Sequence, residues 1–235
     1  MSKPILTKTY EAPPIRREEV LRYMRCKEET AEIRKLTDDC LTEILPQLSY
    51  KVCFREFEIT TEALPLSEEN DSPAPLNLGF TTSSSLGIRR NLEGCNKLIL
   101  FAATVGLAPD RLIARYGRLS PTKALCFQAI GAERIESLCD LFCEKTAEQY
   151  ADRGFTAKPR YSPGYGDFSL SMQQDVFRAL DCHRKIGLSL NDSLLMSPSK
   201  SVTALIGLMP YSCTNTVEAH NCLLCEKTDC LYRRS

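Results

Sequence analysis

Apolar residues recur along this chain at two different spacings, and the change from one spacing to the other predicts its helices and strands. Apolar positions three or four residues apart predict helices within 18–45, 109–116, 121–150 and 172–180, with a shorter helix at 83–92. Pro46 would end the first, which is one long helix or two helices broken near Thr37. Runs rich in aromatic, aliphatic and β-branched residues predict strands at 50–59, 97–104 and 201–208. Because helices and strands mix without strict alternation, the chain is predicted to be an α+β protein.

The clearest helical pattern lies in 121–150. Its apolar stripe predicts a face directed to the core and contains Ile135, Leu138, Cys139 and Phe142, at i, i+3, i+4 and i+7. Glu136 and Asp140 lie one helical turn apart on the flank of that stripe. On pattern alone, this acidic pair is typical of the solvated edge of a helix.

Charge and hydropathy argue against several kinds of partner. Thirty Lys and Arg balance thirty Asp and Glu, so net charge gives no reason to expect nucleic acid or an anionic membrane as a partner. The longest apolar run, 98–108, is interrupted by Thr104 and Gly106 and is too short to span a bilayer. The N-terminal Met-Ser-Lys-Pro lacks the apolar stretch of a secretory signal, which predicts a cytoplasmic protein.

Composition divides the chain into three segments. Residues 1–16 are rich in proline and predict an extended N-terminal arm, while 17–210 carry the predicted helices and strands of one domain. Residues 211–235 form a cysteine-rich tail. Most of the twelve cysteines lie in helical stretches of a chain without a secretory signal, which predicts buried thiols in a reducing compartment rather than a disulfide framework.

The tail has the spacing of a metal site. Cys213, Cys222, Cys225 and Cys230 are separated by eight, two and four residues, and Cys-x-x-Cys is a common chelating step. Thiolates suit an iron–sulfur cluster or a structural zinc ion, and His220 could replace Cys213 as the fourth ligand. Free or redox-active thiols are the third interpretation. The sequence leaves these three open.

The segment Arg-Tyr-Ser-Pro-Gly-Tyr-Gly-Asp at 160–167 combines features that suit contact with a small ligand. Pro163 fixes one φ angle and Gly164 allows a positive one, so the backbone can turn sharply and approach a ligand closely. Arg160 offers a planar fork for a carboxylate, and the two tyrosines offer aromatic faces. Gly and Pro are also common in solvent-exposed turns, so the alternative is an ordinary surface loop.

Five sequence blocks occur here in the order found in a known family. They are Phe101-Ala-Ala-Thr-Val-Gly, Gln128-Ala-Ile-Gly-Ala-Glu-Arg-Ile-Glu, Arg160-x-x-x-Gly-Tyr, Ile186-Gly-Leu-Ser-Leu-Asn-Asp-Ser and Met196-Ser-Pro-Ser-Lys-Ser-Val. Over residues 80–210 the chain resembles the activation (reactivation) domain of cobalamin-dependent methionine synthase. It resembles a free-standing form, without the cobalamin-binding and substrate modules.

The resemblance implies a twisted antiparallel sheet flanked by helices, with S-adenosylmethionine bound in a shallow groove. Carried over by position, Arg160 would bind the carboxylate of the methionyl part, and Ser162 and Gly164 would supply backbone contacts. Tyr165 would line the groove, and Glu136 would be the helical acid that reaches the ligand. For Glu136 this replaces the interpretation as a solvated edge, whereas the resemblance gives Asp140 no role.

The resemblance also implies a reaction and a partner. Cob(I)alamin that loses an electron becomes inactive cob(II)alamin, and rescue couples one-electron reduction to methyl transfer from S-adenosylmethionine. The partner would be a cobalamin-loaded methionine synthase or a related corrinoid protein. The family's activation domain lacks the cysteine tail, and a separate hypothesis is that an iron–sulfur cluster in this tail delivers the electron.

Two departures from the family keep alternatives open. The family's acid from the N-terminal segment has no match here, and 202–207 lacks the aromatic residues of the full-length enzymes. These departures favour a docking or sensing module that has lost methyl-donor chemistry. A corrinoid-protein reductase that uses the cysteine tail, with a vestigial groove, is the other alternative.

Overall fold

The computed structural model describes residues 3–59 and 75–211. The strands in this part of the chain are β1 (Leu6–Tyr10), β2 (Tyr50–Glu58), β3 (Leu76–Asn77), β4 (Thr82–Ser83), β5 (Lys97–Thr104), β6 (Phe155–Ala157), β7 (Ser189–Leu190), β8 (Met196–Ser197) and β9 (Ser201–Pro210). Five of them form one antiparallel sheet in the order β1-β2-β5-β9-β6. The strands β3 with β4 and β7 with β8 form two short hairpin pairs.

The helices lie mainly between β2 and β9, apart from two near the N-terminus. They are α1 (Arg17–Tyr23), α2 (Ala31–Ile44), α3 (Leu86–Asn91), α4 (Ala108–Leu119), α5 (Pro121–Ala151), α6 (Gln173–Leu180) and α7 (Cys182–Ile186). Short 3-10 turns follow α2 at Leu45–Gln47 and precede α6 at Leu170–Met172. None of the helices in the described ranges is long and apolar enough to cross a membrane.

Both faces of the central strand β5 are buried, and its alternate residues divide between two cores. Leu98, Leu100 and Ala102 pack with α3, α6 and α7 on one side. Ile99 and Phe101 face α5 on the other side, where the ring of Phe101 lies 4.7 Å from that of Phe142. Because both faces of β5 are buried, its residues are apolar without alternation, which explains the continuous apolar run in the sequence.

Helix α5 lies between the sheet and a third core. Its Phe127 and Ile130 pack against residues of α1, α2 and α4, including Val20, Ile44 and Leu112. With 31 residues, α5 presents apolar side chains both to the sheet and to these outer helices. The arrangement confirms the predicted α+β fold, an antiparallel sheet flanked by helices.

The predicted strands agree with the structure, whereas the predicted position of one helix break was wrong. The break lies between α1 and α2 and not near Thr37, which is buried within α2 and donates its hydroxyl to the carbonyl of Ile33 at 2.8 Å. Thr30 begins α2 by accepting a hydrogen bond from the N–H of Ile33 at 3.3 Å, as an N-cap residue does. A threonine at a cap and a threonine inside a helix look alike in the sequence.

The predicted N-terminal arm is extended, and part of it belongs to the main sheet. Residues 6–10 form the edge strand β1, which pairs with β2. Further along, the carbonyls of Pro13 and Pro14 accept hydrogen bonds from the guanidinium of Arg134 at 2.6 and 2.8 Å. Because the side chain of Arg134 is fully buried in α5, these bonds fix the segment between β1 and α1 against the core.

Candidate functional site

The 160–167 loop is attached to the sheet at one end and to α3 at the other. The backbone N–H and C=O of Tyr161 bond to Leu205 of β9, both at 2.9 Å. Gly164 has φ +95° and its N–H donates to the carbonyl of Phe168 at 2.7 Å, so the turn uses the positive φ expected of this glycine. The loop is therefore a fixed structure beside β9.

Asp167 closes the loop by capping α3. Its carboxylate accepts hydrogen bonds from the hydroxyl of Ser85 at 2.6 Å and from the backbone N–H groups of Leu86 and Gly87 at 2.6 and 3.0 Å. The hydroxyl of Ser85, followed by these N–H groups, lowers the pKa of Asp167 below its usual value. The carboxylate that ends the motif thus has a structural role at the start of a helix.

A groove of about 590 Å³ lies between this loop, α5 and the start of β9. Four of the five predicted ligand-contacting residues line it: Glu136, Arg160, Ser162 and Tyr165. Gly164 lies in the same loop, between Ser162 and Tyr165. The volume falls in the range of about 300–1,000 Å³ that is usual for small-molecule sites. Side chains separated by more than twenty residues in the sequence thus meet at one groove.

Two of the predicted residues contact each other in the groove. The guanidinium of Arg160 lies 2.5 Å from a carboxylate oxygen of Glu136 and 3.2 Å from one of Asp140. Asp140 in turn lies 2.8 Å from the guanidinium of Arg16. The three side chains of the Arg160 group are 20–25% exposed, so the pattern-based interpretation of a solvated acidic edge was wrong.

These ion pairs fix the charge on Arg160. Burial acts to lower its pKa, while Cys139, Glu136, Cys143 and Asp140 act in the opposite direction, and the net effect is a raised pKa. Arg160 is therefore a permanent cation whose nearest carboxylates already belong to the protein. An external carboxylate would have to share the guanidinium with Glu136 and Asp140.

Besides Arg160, the groove is lined by Arg22, Arg25 and Lys200, to which the sequence assigned no role. Lys200 as a whole is only 8% exposed, and its side chain lies against Gly131 of α5. A Cβ on Gly131 would be 3.0 Å from Cγ and 3.1 Å from Cε of Lys200, so a larger residue would displace the lysine. Gly131 and Lys200 both lie within the five sequence blocks noted above. Membership in these blocks was the feature of the sequence that could have indicated their place in the groove.

Helix α1 adds an aromatic side chain that the sequence also did not indicate. Tyr23 lines the groove near Glu136 of α5. Burial and the nearby carboxylate of Glu136 raise the pKa of the Tyr23 hydroxyl. Tyr23 and Tyr165 thus give the groove two aromatic walls, although the segment 202–207 carries none.

A glycine in α3 permits the approach of the loop. A Cβ on Gly87 would lie 2.4 Å from the hydroxyl oxygen of Tyr161 and 2.8 Å from Oδ1 of Asp167. We expect Gly87→Ala to displace the loop and to lower the free energy of unfolding by about 1–3 kcal/mol, as overpacking does. Urea denaturation of the purified variant measures this change.

Gly117 in α4 is the matched control for that substitution, because no atom lies within 4 Å of a Cβ placed on it. Gly117→Ala is expected to leave stability unchanged or to raise it by about 0.5–1 kcal/mol through helix propensity. Equal effects of the two substitutions would contradict the close packing of the loop on α3.

The predicted metal ligands Cys213, Cys222, Cys225 and Cys230, and the alternative ligand His220, lie outside the described residues. The metal site in the tail therefore stays a prediction. Within residues 3–59 and 75–211, no group of three or more His, Cys, Asp or Glu side chains could hold a metal ion. The eight cysteines of these ranges are free thiols, and six of them are buried.

Comparison with known proteins supports the fold. No protein-family model matches this chain, and no curated protein matches it either. Among solved structures, the chain is similar to the crystal structure of the MetH reactivation domain bound to AdoHcy. The TM-score is 0.59 at 13% sequence identity, and the match covers 92% of this chain and 81% of that one. At this identity the likeness shows the fold alone: the chain has the fold of the MetH reactivation domain.

Proposed function

We propose that the groove between α5, the 160–167 loop and β9 binds S-adenosylmethionine. In this proposal the protein supports the reductive methylation of cob(II)alamin on a cobalamin-dependent methionine synthase or a related corrinoid protein. The observation that carries the proposal is the meeting of Glu136, Arg160, Ser162 and Tyr165 at one groove. The fold is that of a reactivation domain whose crystal structure contains AdoHcy, the product of methyl donation by S-adenosylmethionine.

The groove has groups that suit each part of this ligand. S-adenosylmethionine carries a positive sulfonium, an ammonium and a carboxylate on an adenosine. The carboxylate of Glu136, shared with Arg160, can attract the positive groups, and the faces of Tyr23 and Tyr165 can lie against the sulfonium or the adenine. Since Tyr165 is 48% exposed, its ring is accessible to a ligand that enters from solvent.

The contribution of the protein to the reaction is positioning. An external one-electron donor would reduce cob(II)alamin on the partner to cob(I)alamin, which would take the methyl group as the bond from that methyl to the sulfonium sulfur breaks, leaving methylcobalamin and S-adenosylhomocysteine. No proton transfer occurs in this step, so the groove needs no general acid or base. Binding holds the sulfonium methyl group toward the corrinoid of the partner. The methyl transfer then takes place within one complex and does not depend on a chance collision of S-adenosylmethionine with the corrinoid.

The partner follows from the same chemistry. Residues of α5 and β9 line two sides of the groove. In this proposal the corrinoid therefore approaches the bound ligand from the solvent side. A cobalamin-binding protein is therefore the proposed partner, and the cytoplasm, where thiols stay reduced, is the proposed compartment.

Calorimetric titration of the purified protein with S-adenosylmethionine tests the proposal. We expect saturable binding at one site, and saturable binding of S-adenosylhomocysteine, which shares the adenosine and amino acid parts. A protein that binds neither compound at millimolar concentration would overturn the proposal. The alternative of a docking module without methyl-donor chemistry would then be favoured.

A further inference from the structure

We propose that Gln173, the first residue of α6, binds the exocyclic amine of the ligand's adenine and makes the groove specific for that base. The inference rests on the proposed function, since it assigns one part of S-adenosylmethionine to one residue of the groove. It leaves the carboxylate of the ligand at Arg160, as the sequence resemblance implies. Neither the residue pattern nor the resemblance gave Gln173 a role.

Gln173 is a buried polar residue whose side-chain oxygen has no partner. The residue is 5% exposed and lines the groove. Within residues 3–59 and 75–211, its Oε1 is buried and accepts no hydrogen bond. Buried amide oxygens are nearly always hydrogen-bonded, so this one marks a place where a donor is missing. Because the terminal torsion of glutamine is broad, the amide can turn its oxygen toward a donor that enters the groove.

Gln173 borders the groove from the face of the sheet opposite to Glu136. The groove lies at the edge of β9, where Val202 and Thr203 line it and where β6 does not reach, since β6 pairs with residues 208–210. Helix α5 packs on one face of the sheet, whereas α6 packs on the other face through Val176. A ligand in the groove therefore lies between an acidic side at α5 and an amide side at α6.

The amino acid part of the ligand belongs at the α5 side. Its carboxylate and ammonium are attached to the same carbon and must bind close together. Nη1 of Arg160 is buried without a hydrogen-bond partner among the described residues, so a carboxylate that binds there satisfies it. Glu136, 2.5 Å from the same guanidinium, is the adjacent acceptor for the ammonium. This arrangement leaves the adenosine for the side of Gln173.

A carboxamide matches the amino edge of adenine. Its oxygen accepts a hydrogen bond from the exocyclic amine while its nitrogen donates to the neighbouring ring nitrogen, two bonds in one plane. The surroundings of Gln173 also suit a purine ring. Met196 packs against the same core as α6 and lines the groove, so it gives this side an apolar surface, and the exposed ring of Tyr165 lines the groove as well.

Two ligands that differ by one amine test the inference. Calorimetric titration compares S-adenosylhomocysteine with its analogue that carries an unsubstituted purine, in which hydrogen replaces the exocyclic amine. The wild type is expected to bind S-adenosylhomocysteine roughly 5- to 150-fold more tightly, because the analogue leaves Oε1 of Gln173 buried without a donor. Gln173→Met has an unbranched side chain of similar length without the acceptor. It is expected to bind the two compounds with nearly equal affinity.

Three further variants make the comparison specific. Gln173→Glu keeps an acceptor oxygen on a side chain of the same shape and is expected to retain the preference. Gln173→Leu is a second apolar replacement and is expected to lose it, so the test does not depend on the folding of Gln173→Met. Gln128→Met removes an exposed carboxamide from the same groove and is expected to leave the preference unchanged.

Urea denaturation separates binding from a structural role. Because Oε1 of Gln173 has no partner among the described residues, Gln173→Met is expected not to lower the free energy of unfolding. A purely structural role would lower the stability of this variant and leave the preference for the amine intact.

The outcomes also distinguish the inference from the proposed function. A wild type that binds both compounds equally, or a Gln173→Met variant that keeps the preference, overturns the role of Gln173 and leaves the groove as the site. A wild type that binds neither compound overturns the proposed function and this inference together.

Discussion

Glu133→Ala is expected to lower the free energy of unfolding by about 3–5 kcal/mol, because it leaves the buried guanidinium of Arg134 without its carboxylate. Both side chains are fully buried in α5. The two nitrogens of Arg134 that face Glu133 each lie 2.5 Å from one of its oxygens. Glu133 also accepts a hydrogen bond from the hydroxyl of Ser137 at 2.6 Å and from the backbone N–H of Arg16 at 3.2 Å.

The pair also connects the N-terminal segment to α5, so its loss affects more than one helix. With Glu133 removed, the remaining partners of Arg134 are the carbonyls of Pro13 and Pro14 and the hydroxyl of Ser137. Neutral acceptors compensate a buried charge less well than a carboxylate does. Urea denaturation measures the change in stability, and limited proteolysis near residue 13 would detect release of the segment.

Glu148→Ala in the same helix is the matched control, since Glu148 is exposed. It is expected to change stability by less than about 0.5 kcal/mol. The double variant Glu133→Leu with Arg134→Met is expected to be more stable than Glu133→Ala, because no charge stays buried. Equal stabilities of Glu133→Ala and Glu148→Ala would mean that the buried pair contributes nothing to the fold.

Arg160→Ala is expected to weaken the binding of S-adenosylmethionine by roughly 2–5 kcal/mol, the usual effect of removing one partner of a partly buried charge pair at a binding site. Without Arg160, the carboxylate of Glu136 loses the contact at 2.5 Å that fixes its direction toward the groove. Asp140 keeps Arg16 at 2.8 Å, so the variant is expected to stay folded.

A comparison of S-adenosylmethionine with its decarboxylated form, for the wild type and for Arg160→Ala, shows by which route Arg160 acts. If Arg160 acts by positioning Glu136, the variant weakens both ligands equally and keeps the preference for S-adenosylmethionine. Loss of that preference in Arg160→Ala would instead show that Arg160 binds the carboxylate itself, as the sequence resemblance implies. Arg178→Ala is the control, because that guanidinium is 77% exposed and lies on α6 outside the groove; it is expected to leave both affinities unchanged.

Local patterns were sufficient where one interaction decides the structure. The apolar run at 97–104 became β5 with the same bounds, and the Ser-Pro start of the long helix became the start of α5. The turn at Gly164 has the positive φ that its glycine allowed. In each case the deciding factor is the chemistry of neighbouring residues, which is visible in the sequence.

Contacts between segments that are distant along the chain could not be predicted from the local residue pattern. The interpretation of Glu136 and Asp140 as a solvated edge failed because Arg16 and Arg160, from 24 to 124 positions away, fold onto the same face of α5. The break between α1 and α2 was misplaced for a related reason, since the path of the chain there depends on packing against α5.

The sequence by itself determined the fold class, several of the longer helices and strands, and the position of the loop that carries Arg160, Ser162, Gly164 and Tyr165, because these depend on residue pattern and on ordered motifs. The tertiary structure alone decided how charge is distributed in the groove. It places Glu136 and Asp140 against Arg160 and leaves Lys200 buried beside Gly131 without a described partner. Electrostatic energy depends on distance and burial in three dimensions, and neither quantity is encoded in the spacing of residues along a chain.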